Sequence, residues 1–145
     1  MRFSAIIVIV MLGCVYANTC GGNCPSNDCV DCPCGNTVHK VNANKYCQVY
    51  SKWSQTCCMC ITSHESGDNS NAVNHNTNDS DDVGLFQIND INWPQCSAGA
   101  APCNPDVNTS CAKKVFGWGG NTWKLWSTCH VCNCCSKAQD DAYKV

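Results

Sequence analysis

Glu65 is the sole glutamate of this 145-residue chain. A carboxyl group can protonate a leaving atom or activate water when its surroundings hold its pKa close to the working pH. On its own, a glutamate near a helix end is ordinarily a solvated surface group. His64 precedes it, but consecutive helical residues do not face each other, so the two form no catalytic pair and His64 reads as a surface residue. Asp81 and Asp82 lie side by side further along. On a strand their side chains point to opposite faces, so only one of them can face a cleft. The cysteines are the other chemistry-bearing residues, and Cys-x-x-Cys-x-Cys occurs twice, at Cys29, Cys32, Cys34 and at Cys129, Cys132, Cys134. That spacing is a common zinc half-site, but in an oxidising compartment the same residues form disulfides.

The compartment is indicated by the first seventeen residues, which have the pattern of a secretory leader. Arg2 gives the positive start, AIIVIVML over 5–12 the apolar run, and Val15-Tyr16-Ala17 the small-residue cleavage chemistry. The run is shorter than the roughly 20 residues that span a bilayer. We expect a leader at 1–17 and one mature domain over 18–145, with a cysteine-rich N-terminal segment at 18–53. An alternative processing site, Met11-Leu12-Gly13-Cys14, would anchor Cys14 to a membrane. Seventeen cysteines in 145 residues exceed the ~8 to 10% that marks a disulfide scaffold. Removing Cys14 with the leader leaves sixteen, enough for eight disulfides. Arg2 is the only arginine, so the mature chain sets eight lysines against eleven acids. That balance argues against a nucleic-acid partner, and the absence of a basic amphipathic face argues against stable membrane association. We expect a monomer.

Helix, strand and turn signals position these residues. The segment 19–35 has almost no large apolar residue and reads as a cross-linked loop region without helix. Over 54–66, SQTCCMCITSHES carries apolar or cysteine residues at 57, 58, 60 and 61 behind a possible Ser54 cap, and Gly67 can end the helix, leaving Glu65 at its C-terminal end. The following fourteen residues carry the chemistry of turns and short polar strands, and DVGLFQIN over 82–89 reads as one strand. The segment after Trp93 reads as a loop held by Cys96 and Cys103, Ser110 as the cap of a helix through CAKKVFGW, and NTWKLWST over 121–128 as a further helix. Asn78 and Asn108 head glycosylation sequons in turn-like segments.

From Glu65 to Trp93, ESGDNSNAVNHNTNDSDDVGLFQINDINW resembles the active-site segment of c-type lysozymes over twenty-nine residues without a gap. In that family a glutamate ending a helix is followed by a polar stretch, an aspartate, a Gly-[Ile/Leu]-x-Gln-Ile-Asn strand and a tryptophan. Here these are Glu65, Asp82, the run from Gly84 through Gln87 to Asn89, and Trp93. The resemblance implies an α+β lysozyme-like fold, rich in disulfides, with a helical lobe, a small antiparallel β lobe and a cleft between them. It implies Glu65 and Asp82 as catalytic carboxylates. One protonates the leaving oxygen and the other faces the oxocarbenium-like centre, which requires environments that split their pKa values.

Asn76, Gln87, Asn89, Trp93 and Trp123 are the implied substrate-binding positions. Asn76, Ser80 and Asn89 fall where the family places partners of its aspartate, and Trp123 resembles the tryptophan that covers the acid. Trp93 resembles one that stacks on a sugar ring. For both tryptophans, core packing is the alternative. A disulfide from Cys60 to Cys129 is also implied. Outside residues 60–93 and 110–129 the resemblance fades.

The implied activity is hydrolysis of β-1,4 bonds in bacterial cell-wall peptidoglycan by a secreted antimicrobial enzyme, with no metal or cofactor. The alternative location is the lumen of a lysosome, phagosome or digestive vacuole. An acidic optimum is expected, because the protein becomes cationic only in acid, where it is drawn to anionic walls. The rivals are a non-catalytic carbohydrate-binding protein on the same fold, as in α-lactalbumin, and a structural cysteine-rich protein. The α-lactalbumin branch lacks the catalytic glutamate and carries aspartates near the counterpart of Cys111, where this chain offers only Asp106.

Overall fold

The computed structural model describes residue 20 and residues 32–48 and 50–144. The expected leader and most of the loop region at 19–35 lie outside them. The first helix, α1 (Ala43–Cys47), is capped by Asn42 and was not anticipated. Helix α2 (Gln55–Ser66) begins where the Ser54 side chain accepts from Cys57 N. It ends at Gly67, whose left-handed φ of 58° lets its N–H return to the Ser63 and Thr62 carbonyls.

Three short strands follow, β1 (Val73–His75), β2 (Asp81–Val83) and β3 (Ile88–Asn89), in an antiparallel sheet of order β1-β2-β3. The register pairs Asn74 with Asp82 and Asp82 with Asn89. A polar row thus lies on one face, while Val73, Val83 and Ile88 are buried. The run 82–89 is therefore not the single strand expected. Leu85 and Phe86 are consecutive and both fully buried, which an alternating strand does not allow, so the chain turns over 84–87. Asn108, itself fully buried, clamps this turn: its Oδ1 accepts from Phe86 N, and its Nδ2 donates to the Val83 and Pro102 carbonyls. A Cβ on Gly84 would lie 2.3 Å from Asn108 Nδ2, so the turn requires glycine there.

Beyond a 3-10 turn at Asp90–Asn92 come α3 (Trp93–Cys96) and α4 (Pro105–Trp118). Asn104, not Ser110, caps α4, accepting from Asp106 N and Val107 N ahead of Pro105. Asn108 thus lies inside a helix and is buried, so its sequon is inaccessible, whereas Asn78 is exposed in a turn. The helix expected over 121–128 is absent; turns lead instead into a 3-10 turn at Ser127–Cys129. The last helix, α5 (Lys137–Asp141), opens with a Ser136/Gln139 capping box.

The core is an aromatic cluster centred on Trp123, whose ring lies 5.0 Å from each of Trp53, Phe116 and Trp126. Buried Asp140 of α5 accepts from Trp123 Nε1 at 2.9 Å and from Ser54 N at 3.0 Å. The C-terminal helix is thereby fastened to the start of α2. Among the described residues no helix is long and apolar enough to cross a membrane.

Seven disulfides join described residues, and two pairings differ from expectation. Cys60 bonds Cys132, while Cys129 bonds Cys135; Cys96 bonds Cys111, while Cys103 bonds Cys34. Cys57 and Cys60 are one helical turn apart on α2 and meet Cys134 and Cys132 on a segment running the other way. That register leaves Cys129 to close a short local loop. Among the described residues two groupings have metal-ligand proximity, Cys60-His64-Cys132 and Cys129-His130-Cys135, and both contain these bonded sulfurs, so the zinc alternative fails at both; Cys29 of the other cluster lies outside the described residues.

Candidate active site

Glu65 is held in place by its neighbours on α2. Ser66 Oγ donates to the Leu85 carbonyl at 2.8 Å, fixing the helix end to the turn between β2 and β3, and Lys40 Nζ donates to the Gly67 carbonyl. The Glu65 carboxyl enters a cavity of about 130 Å³ shared with Asp82, whose apolar lining is Ile88, Val115, Leu125 and Trp126. Burial raises the Glu65 pKa above the ordinary glutamate value. A hydrogen bond from Thr128 opposes the rise, and the negative charge of Asp82 adds to it.

Asp82 has the opposite surroundings. Its Oδ2 accepts from Asn76 Nδ2 and its Oδ1 from Asn89 Nδ2, both at 2.8 Å. Ser80 Oγ accepts from the same two amides at 3.1 and 3.0 Å and donates to Asn78 Oδ1, so it orients the amides and does not touch the carboxylate. Asp81 points to the other face, where its Oδ1 lies 2.8 Å from His75 Nδ1.

The remaining expected positions divide. Gln87 lines the cavity, but its amide donates to the Ala72 and Gly84 carbonyls, which gives it a role in holding the turn. Trp93 is half-buried, donates from Nε1 to the Ile88 carbonyl at 3.0 Å, and is not among the residues lining the cavity, where Asn92 is found. Trp123 does not cover the acid: it is fully buried in the core, and Trp126 lines the cavity instead. The spacing of three would put both rings on one side of a helix, but no helix forms there. Trp126 Nε1 is anchored to the Phe86 carbonyl at 2.8 Å. Thr128 was missed, and with 63 positions separating it from Glu65, no local pattern points to it.

A family model described as a lysozyme-like domain matches residues 52–128, which contain both carboxylates and Thr128. Lysozyme X of Drosophila melanogaster is 38% identical over 107 residues, covering 64% of this chain and 70% of the relative. The chain belongs to the c-type lysozyme family. Lysozyme D of the same fly is 36% identical over 98 residues, covering 58% of this chain and 69% of the relative. Lysozyme C of Takifugu rubripes is 41% identical over 85 residues, covering 48% of this chain and 58% of the relative. The expected α+β lysozyme-like architecture is present, and the chain is a glycoside hydrolase of the muramidase type.

Proposed function

We propose that this lysozyme cleaves β-1,4 glycosidic bonds of bacterial peptidoglycan. Glu65 protonates the leaving oxygen, and Asp82 acts as nucleophile or electrostatic partner of the oxocarbenium-like centre, the division of labour for which lysozymes are the type case. One observation carries this reading: a single cavity contains a carboxyl whose pKa is raised by burial and another whose two oxygens accept amide hydrogens. The first can keep a proton to give, and the second is a rigid acceptor facing the same space. Asn76 and Asn89 serve the reaction by holding Asp82, while Trp126 and Leu125 supply apolar wall. No metal or cofactor has a step in this scheme.

The sequence pattern at 1–17 and the disulfides support secretion, or residence in the lumen of a lysosome, phagosome or digestive vacuole. An antimicrobial or digestive role on wall polysaccharide follows, carried out by a monomer with no nucleic-acid partner. A turbidity assay on a bacterial cell-wall suspension tests the proposal. Clearing is expected; binding without clearing would favour a carbohydrate-binding role on the same fold.

A further inference from the structure

We infer that Thr128 is a positioning residue for the general acid: its hydroxyl orients the Glu65 carboxyl and governs how readily its proton leaves. The inference rests on the reading of Glu65 as the acid. Thr128 Oγ1 donates to Glu65 Oε1 at 2.5 Å. A hydroxyl hydrogen directed at Oε1 stabilises the ionised carboxylate and fixes the orientation of the group.

The donor is held as firmly as its acceptor. Thr128 sits in the 3-10 turn at Ser127–Cys129, between Trp126, anchored on the Phe86 carbonyl, and Cys129, which is buried and bonded to Cys135. Cys132 N donates to the Thr128 carbonyl at 3.2 Å, and the Cys60–Cys132 disulfide ties this segment to α2, five residues before Glu65. Donor and acceptor therefore ride on covalently joined elements.

The charged groups acting on Glu65 are Asp82 from β2, which disfavours its ionisation, and His64 from its own helix, which favours it. Thr128 opposes the effect of burial through two hydrogen bonds, of which that from its hydroxyl is the larger and that from its backbone is retained in any side-chain variant. Donation to the ionised carboxylate stabilises it, so loss of the hydroxyl must raise the pKa of Glu65 further. Activity that requires protonated Glu65 then persists to higher pH.

Because Glu65 is the only glutamate, selective carbon-13 labelling of glutamate carboxyls gives one titrating side-chain resonance, read without turnover. We expect its midpoint to lie above the ordinary glutamate range in the wild type and about one pH unit higher in Thr128→Val. Thr128→Ser should restore the wild-type midpoint. The alkaline limb of the activity profile on purified peptidoglycan should move in step. Should Thr128→Val fail to fold, Thr128→Ala removes the hydroxyl without adding bulk and is read in the same way. An unmoved midpoint, or a Ser variant titrating like the Val variant, overturns the role of Thr128. A fully active Glu65→Gln enzyme would instead overturn the reading of Glu65, whatever the resonance does.

Discussion

Asp81 and Asp82 show how much one position decides at the scale of single residues. Asp82 faces Asn76 and Asn89, whereas Asp81 faces His75 on the other side of the strand. In the proposed mechanism Asp82→Asn removes the negative charge opposite the developing cation, and should lower kcat far more than it weakens wall binding, since that interaction strengthens in the transition state. Asp81→Asn should leave kcat/KM within a few-fold of wild type, and steady-state kinetics on peptidoglycan with a separate wall-binding measurement checks both. Inactivation by Asp81→Asn but not by Asp82→Asn would mean that the wrong carboxylate has been assigned. Glu65, Asp82, Asn76 and Asn89 were legible through the family resemblance, whose gapless register runs from the helix end at Glu65 across all three strands, and the structure brings Asp82, Asn76 and Asn89 together. Trp123 was misassigned because its role depends on whether 121–128 forms a helix. Once that segment became turns, Trp123 joined the core and Trp126 became the wall beside the acid.

At the scale of elements, α2 was readable because both of its boundaries are local chemistry, a serine cap and a left-handed glycine. The apolar run at 82–89 was not, because the turn that splits it is specified from a distance by Asn108 on α4. Asn108→Ala should leave Phe86 N and the Val83 and Pro102 carbonyls unpaired in the interior, destabilising the fold by about 3 kcal/mol in denaturant unfolding. Activity should fall as well, since the same turn anchors Ser66 beside Glu65 through the Leu85 carbonyl. A change below about 0.5 kcal/mol would show that the clamp is dispensable. The disulfides escaped the sequence for a related reason. The Cys57 and Cys60 spacing announces one helix face, but which cysteines answer it depends on how the chain after Thr128 folds back, and the partners are Cys134 and Cys132.

For the whole molecule, charge and the site favour acidic conditions by separate routes. Eight lysines against eleven acids in the expected mature chain leave it anionic at neutral pH, and histidine protonation reduces its repulsion from anionic walls as pH falls. In the proposed mechanism Glu65 acts in its protonated form, which its raised pKa extends upward in pH, so turnover should be lost as pH rises through that value. The profile should therefore fall on its alkaline side and peak on the acid side of neutrality. The most direct measurement is release of reducing ends from purified peptidoglycan by the wild-type enzyme and by Glu65→Gln across that pH range. The wild type should give that acidic optimum, and the variant should be slower by at least ~10² to 10⁴ at the optimum while still binding the wall. Undiminished release by Glu65→Gln would contradict the account at its centre.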